Sequence, residues 1–152
     1  MIILDTNVIS EVMRGRDADP GVLTWIRTLP DQPVTTVINR AEIMAGVALL
    51  PAGSRRDRLW NAAESAFDQL GACLPLMPEC ASIYATIVAS RRASGRPIGG
   101  MDALIGSIAR VAGAGLATRD VHDFADLGIE LFNPWLSEED GPQGSPSASP
   151  ER

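Results

Sequence analysis

Met1-Ile2-Ile3-Leu4-Asp5-Thr6-Asn7-Val8 is the stretch on which the fold turns. Ile2, Ile3 and Leu4 form a short continuous apolar run, the pattern of a strand buried on both faces of a parallel sheet. Asp5 ends the run and is followed by Thr6 and Asn7, residue types that favour turns and caps. A carboxylate at the carboxyl end of such a strand lies where open α/β sheets place their ligands. Taken alone, Asp5 reads equally well as a helix cap.

Working outward, 152 residues suffice for one domain with a real core. Hydrophobic content of 45% and charged content of 21% are those of an ordinary globular chain. The apolar runs are too short for a membrane span and the N-terminus lacks a secretory pattern, so a cytoplasmic protein with no membrane partner is expected. Cys73 and Cys80, each in apolar context, read as two buried thiols. All 13 basic residues are arginines. The lack of lysine excludes a P-loop and a Schiff-base enzyme, and it disfavours phosphoaspartyl chemistry. The net charge of -6 is unevenly spread, because residues 137–152 hold four acids against one arginine. An acidic tail and an acidic pocket together account for the low pI, leaving a surface that does not repel phosphates.

Strands alternate with helices along residues 1–136. Ser10–Arg14 reads as a brief helical turn ended by Gly15. Asp19-Pro20 starts a helix running to Pro30. Pro33–Val37 is a second strand, and Ile38–Leu50 a helix with Glu42 in its opening turns. Ser54-Arg55-Arg56-Asp57 has the form of a capping box before the helix carrying Leu59, Ala63, Phe67 and Leu70. Ala72–Met77 is an edge strand because of Pro75. Helices over Glu79–Ser94 and Met101–Ala112 follow, the second with Asp102 in its first turn. Leu116–Thr118 is a strand ending in Arg119-Asp120, then a short polar helix holds Asp123 and Phe124. Ile129–Phe132 is the last strand. Residues 137–152, rich in Ser, Pro, Gly and Glu, are expected to form a disordered acidic tail.

Four carboxylates share a positional logic. Asp5 and Asp120 end strands, while Glu42 and Asp102 lie near the starts of helices entered from the same sheet edge, with Asp123 close behind. Brought together, they would repel one another strongly and some would stay protonated near neutral pH. A divalent cation removes the conflict, and oxygen-only donors point to Mg²⁺ or Mn²⁺. Asp5 and Asp102 are the direct ligands expected, with Glu42 and Asp120 completing the shell or holding its waters. Thr6, Asn7 and Thr118 are candidate donors that orient these carboxylates, although local turn bonding explains each of them equally well. His122 reads as a solvent-side residue. Phosphate contacts must come from arginines, with Arg91, Arg92 and Arg96 before Asp102 and then Arg119 as candidates.

These motifs, from Met1–Asn7 with Glu11, through Thr36, Ala41-Glu42-Ile43 and Gly46, resemble a PIN domain. Gly95-Arg96-Pro97-Ile98, Asp102–Ile105, Leu116–Asp120, Asp123-Phe124 and Asn133-Pro134-Trp135 extend the resemblance to the VapC-type toxins of the FitB-like branch. The resemblance implies a three-layer α/β/α sandwich over residues 1–136 with a mostly parallel sheet of about five strands. It also implies a metal-dependent endoribonuclease, the toxin of a type II toxin–antitoxin pair, whose metal-binding acids map onto Asp5, Glu42, Asp102 and Asp120. FitB-like members often carry Asn where this chain has Asp120, and the extra charge should tighten metal binding. An RNA substrate, a cognate antitoxin and a homodimer are implied in the same way. The competing readings are a PIN-like binding module that works through a DNA-binding partner without turnover, and a dehalogenase-type phosphotransferase. The second lacks both a phosphate-binding lysine and an acid at Asn7.

Overall fold

The computed structural model describes residues 1–136; the expectation of a disordered tail lies outside the described residues. In chain order the elements are β1 (Ile2–Leu4), α1 (Thr6–Met13), α2 (Pro20–Thr28), β2 (Thr35–Thr36), α3 (Val37–Ala48) and α4 (Ser54–Asp68). They continue with β3 (Cys73–Leu74), α5 (Cys80–Ala93), α6 (Gly100–Ala112), β4 (Gly115–Ala117) and β5 (Leu131–Phe132). All strand pairs are parallel: β1 with β4, β4 with β5, and β2 with β3. The two groups meet at a single parallel bridge, Ile3 to Val34. There Leu4 N donates to the Val34 carbonyl and Val34 N to the Ile2 carbonyl, both at 2.9 Å. The result is one five-stranded sheet in the order β3-β2-β1-β4-β5.

Alternation along the central strands divides the core into two layers. Ile3 and Leu116 face a cluster with Ile87 of α5 and with Ala103, Ile105 and Ala109 of α6. Leu4 and Ala117 face Val8 and Ile9 of α1, Val22 of α2, Ile43 of α3 and Ala63, Ala66 and Phe67 of α4. This is the expected three-layer sandwich. Ile3, Leu4, Leu116 and Ala117 are fully covered because each face carries its own helical layer. Gly115 lets β5 come close, since a Cβ there would stand 2.7 Å from Phe132 Cε2.

Several local expectations need correction. The brief turn after β1 is an eight-residue helix beginning at Thr6, because Asp5 caps it and the polar side chains of Thr6 and Asn7 find partners elsewhere. The Ser54 capping box is absent: Gly53 occupies the cap position and makes no side-chain bond. Cys73 is exposed on the edge strand, and only Cys80 is buried. The polar helix after Asp120 is a run of turns, closed by bonds from Asp123 N to the Asp120 carbonyl and from Ala125 N to the His122 carbonyl. Asp126 at φ 62 stops any helix there.

Arg91, expected to contact phosphate, is only 7% exposed. Its Nε donates to the Arg96 carbonyl at 2.7 Å and its Nη1 to the Ala125 carbonyl at 2.9 Å. The guanidinium thus clamps the loop before α6 to the loop that follows β4. Arg91→Met should orphan both carbonyls and lower stability by about 2–3 kcal/mol. A fall in the urea midpoint at unchanged slope would register it, and an unaltered midpoint would exclude the clamp.

Candidate active site

Asp5 satisfies both readings of its position. Its backbone N–H continues the sheet to the Ala117 carbonyl at 2.9 Å, and it is the N-cap of α1. Oδ1 accepts from Thr6 N at 2.8 Å and from Asn39 Nδ2 at 3.0 Å. Oδ2 accepts from Thr118 Oγ1 at 2.7 Å and from Asn7 Nδ2 at 3.3 Å. One carboxylate therefore ties together the ends of β1 and β4 and the starts of α1 and α3.

The neighbours extend this network. Thr118, fully buried just beyond β4, accepts from Asp120 N at 3.0 Å and from Asn7 Nδ2 at 3.2 Å. Asn7 Nδ2 also reaches Asp120 Oδ2 at 3.0 Å, so two amide hydrogens are shared among three acceptors. Glu42 lies one turn into α3, and its Oε2 accepts from Thr6 Oγ1 at 2.9 Å. Asp102 sits in the first turn of α6. Its carboxylate bends back over the helix start, where a Cβ on Gly99 would come within 3.4 Å of Oδ2. Asp120 and Asp123 are exposed at the rim, as is His122.

Asn39 is the residue that sequence reasoning missed. It is fully buried and donates to both Asp5 Oδ1 and Thr6 Oγ1, the latter at 3.1 Å. Thr36 fixes its orientation, accepting from Asn39 N at 3.2 Å and donating to Asn39 Oδ1 at 2.7 Å. The only local signal was Thr36 as the N-cap of α3, three residues before Asn39.

The electrostatics follow from this crowding. Burial pushes the Asp5 carboxyl above its ordinary value; bonds from Thr118 and Thr6 oppose the rise, and Glu42 and Asp120 add to it. Asp102 is pushed up to about 6, first by burial and then by the charges of Asp5, Glu42, Asp123 and Asp120. Five acids from distant segments thus feel one another. Among the described residues, no arginine or histidine forms an ion pair with Asp5, Glu42, Asp102 or Asp120.

An all-oxygen donor set carrying excess negative charge fits a hard divalent cation. Among the described residues, no three or more Asp, Glu, His or Cys side chains are gathered so as to hold a metal ion by themselves. A hydrated ion such as Mg²⁺ needs only one or two carboxylates, with waters completing its shell.

The arginines divide by surroundings. Arg91 is consumed by its carbonyls. Arg96 pairs with Asp126 at 2.6 Å and holds that carboxyl below its usual range. Arg92 is exposed. Arg119 donates its backbone N–H to Asn7 Oδ1 at 3.2 Å. Its guanidinium lies over the Trp135 ring at 4.0 Å and reaches Glu11 Oε2 at 4.0 Å.

Comparison with known proteins identifies the family of the fold. The PIN domain family profile matches residues 2–130. The chain is 36% identical to the VapC ribonuclease Y4jK of Sinorhizobium fredii over 138 residues, 89% of this chain and 98% of the relative. It is also 36% identical to toxin FitB of Neisseria gonorrhoeae, over 89% of this chain and 99% of that one. A solved structure of FitAB bound to an IR36 DNA fragment superposes with a TM-score of 0.78 at 34% identity, covering 91% of this chain and 98% of that chain.

The raised Asp102 carboxyl sets a pH dependence. In metal-free protein the folded state binds more protons than the unfolded state between about pH 4 and 6, so this group's contribution worsens as pH rises. Asp102→Asn removes that loss. In chelator its melting temperature should match wild type near pH 4 and exceed it above pH 6. About 1 kcal/mol of repulsion surviving solvent screening would make the gap roughly 2–4 °C. A gap that does not change with pH would contradict the crowding.

Proposed function

The chain belongs to the PIN-domain family, and from that premise we propose that it is a metal-dependent endoribonuclease, the toxin of a type II toxin–antitoxin pair. The observation that carries this reading is the mutual pressure of Asp5, Glu42, Asp102 and Asp120, four acids from separate segments with no cationic side chain among them. Asp5 and Asp102 would hold Mg²⁺ or Mn²⁺, with Glu42 and Asp120 completing the shell or fixing its waters. When bound, the cation supplies charge neutralisation at the phosphoryl oxygens and acidifies the attacking water.

The chain's own groups do the rest. Four donors fix the Asp5 carboxylate in one orientation, so it needs little rearrangement on loading. Thr6 does the same for Glu42, and Asn7 for Asp120. Among the described residues no donor bonds the Asp102 carboxylate, which leaves both its oxygens available. Arg119, beside Asn7, and the exposed Arg92 are the cations proposed to hold RNA phosphates. Arg96 can join them only by giving up Asp126.

The partners follow the same reading. A groove of about 470 Å³ between α1, α3 and α4 opens onto Thr6 and Glu42, with Met13, Ile43 and Val47 along it and Arg14 and Arg55 at its margin. An amphipathic antitoxin segment fits this groove and would reach the acids from the Glu42 side. A second copy of the chain is the remaining partner proposed, as the resemblance implies. No described helix is long and apolar enough to cross a membrane.

Incubation of a mixed RNA pool with wild type should yield fragments in Mn²⁺ and none in chelator. Asp102→Asn should leave the RNA intact; fragments that persist in chelator or in that variant would overturn the assignment. Mn²⁺ at 100 times its dissociation constant should add about 2.7 kcal/mol to folding stability. A melting temperature that ignores millimolar metal would remove the cation from the site.

A further inference from the structure

Beyond the acids, on the side of Asp120, lies a second groove of about 630 Å³. Trp25 and Thr24 of α2 form one wall, and Pro134, Trp135 and Leu136 the other. This volume falls within the range of small-ligand sites, roughly 300–1,000 Å³. Two features connect it to the acids. Arg119 is adjacent to Asp120 in sequence and bonded through its backbone to Asn7. Its guanidinium covers the Trp135 ring at 4.0 Å while its side chain stays 54% exposed. The distance from the carboxylates to the aromatic wall is thus the reach of one arginine side chain.

We propose that this groove receives a base of single-stranded RNA flanking the scissile phosphate, with Trp135 as stacking platform and Arg119 on the adjoining phosphate. The inference rests on the ribonuclease reading and adds to it the subsite that orients the substrate. An aromatic surface backed by a cation is what single-strand binders use, because every base offers a π-face and every nucleotide a charge. A purely apolar peptide would satisfy the tryptophans but leave the exposed guanidinium unanswered. Arg119 is held on its other side only by Glu11 at 4.0 Å, so it can turn toward a phosphate at little cost.

The test measures binding without cleavage. In an Asp102→Asn background, Kd for fluorescein-labelled single-stranded octaribonucleotides is read by anisotropy, with an abasic site placed at each position in turn. Trp135→Ala should weaken binding at least about fivefold, the lower end of the range for losing one base stack. Trp135→Phe should restore most of the affinity. Thr24→Trp, a change at an exposed helix position, should fill the groove and weaken binding equally, so the result does not depend on how Trp135→Ala folds. One abasic position should cost wild-type Trp135 the same factor and cost Trp135→Ala nothing. Unchanged Kd in both Trp135→Ala and Thr24→Trp, or abasic penalties that simply add to theirs, would overturn the subsite. RNA cleavage by wild type together with that result would sink this inference alone. Trp135-dependent binding without cleavage would sink the catalytic reading alone.

Discussion

Everything at the sheet's carboxyl edge depends on one buried carboxyl group. Asp5 ends the central strand, and burial raises its carboxyl although bonds from Thr118 and Thr6 oppose the rise. Four donors hold it, each bond worth about 0.5–1.5 kcal/mol, which together is enough to hold the first turns of two helices in place. The other acids are then positioned against a carboxyl group that cannot move away. Repulsion at the site therefore follows from the fold itself: the polar contacts that order the strand ends also prevent the carboxylates from separating.

The order of elements could be read in advance because apolar period and breaker residues are local signals. The parallel sheet, its two helical layers and the convergence of Asp5, Glu42, Asp102 and Asp120 on one edge follow from the strand–helix alternation. Boundaries were less legible. Thr6 and Asn7 look like a turn from composition, yet they open α1, because Glu42 and Asp120 lie 36 and 113 residues away and supply their partners. Asn39 escaped notice for the same reason: a buried amide is recognised by what it bonds, and Asp5 is 34 residues distant. The run after Asp120 has helical composition, but Asp126 in the left-handed region breaks it.

The arginines make the point most sharply. Arg91, Arg92 and Arg96 form one basic cluster in sequence, but each has a different environment. One is buried against two carbonyls, one is solvated and one is paired with Asp126. Burial separates them, and burial depends on the loop after β4, which no local pattern encodes. Arg119 gains importance by the reverse route, from a backbone bond to Asn7 and an aromatic neighbour late in the chain.

The sheet is joined across its middle by the lone bridge between Ile3 and Val34. Directly above it, the amide of Asn39 spans the same seam to Asp5 and Thr6. Side chains there perform stitching that a longer ladder would otherwise provide. The acidic edge and the narrowest junction of the sheet are consequently one place. A lineage that abandoned nuclease chemistry could not freely discard its polar residues there, since the architecture would begin to part along that line.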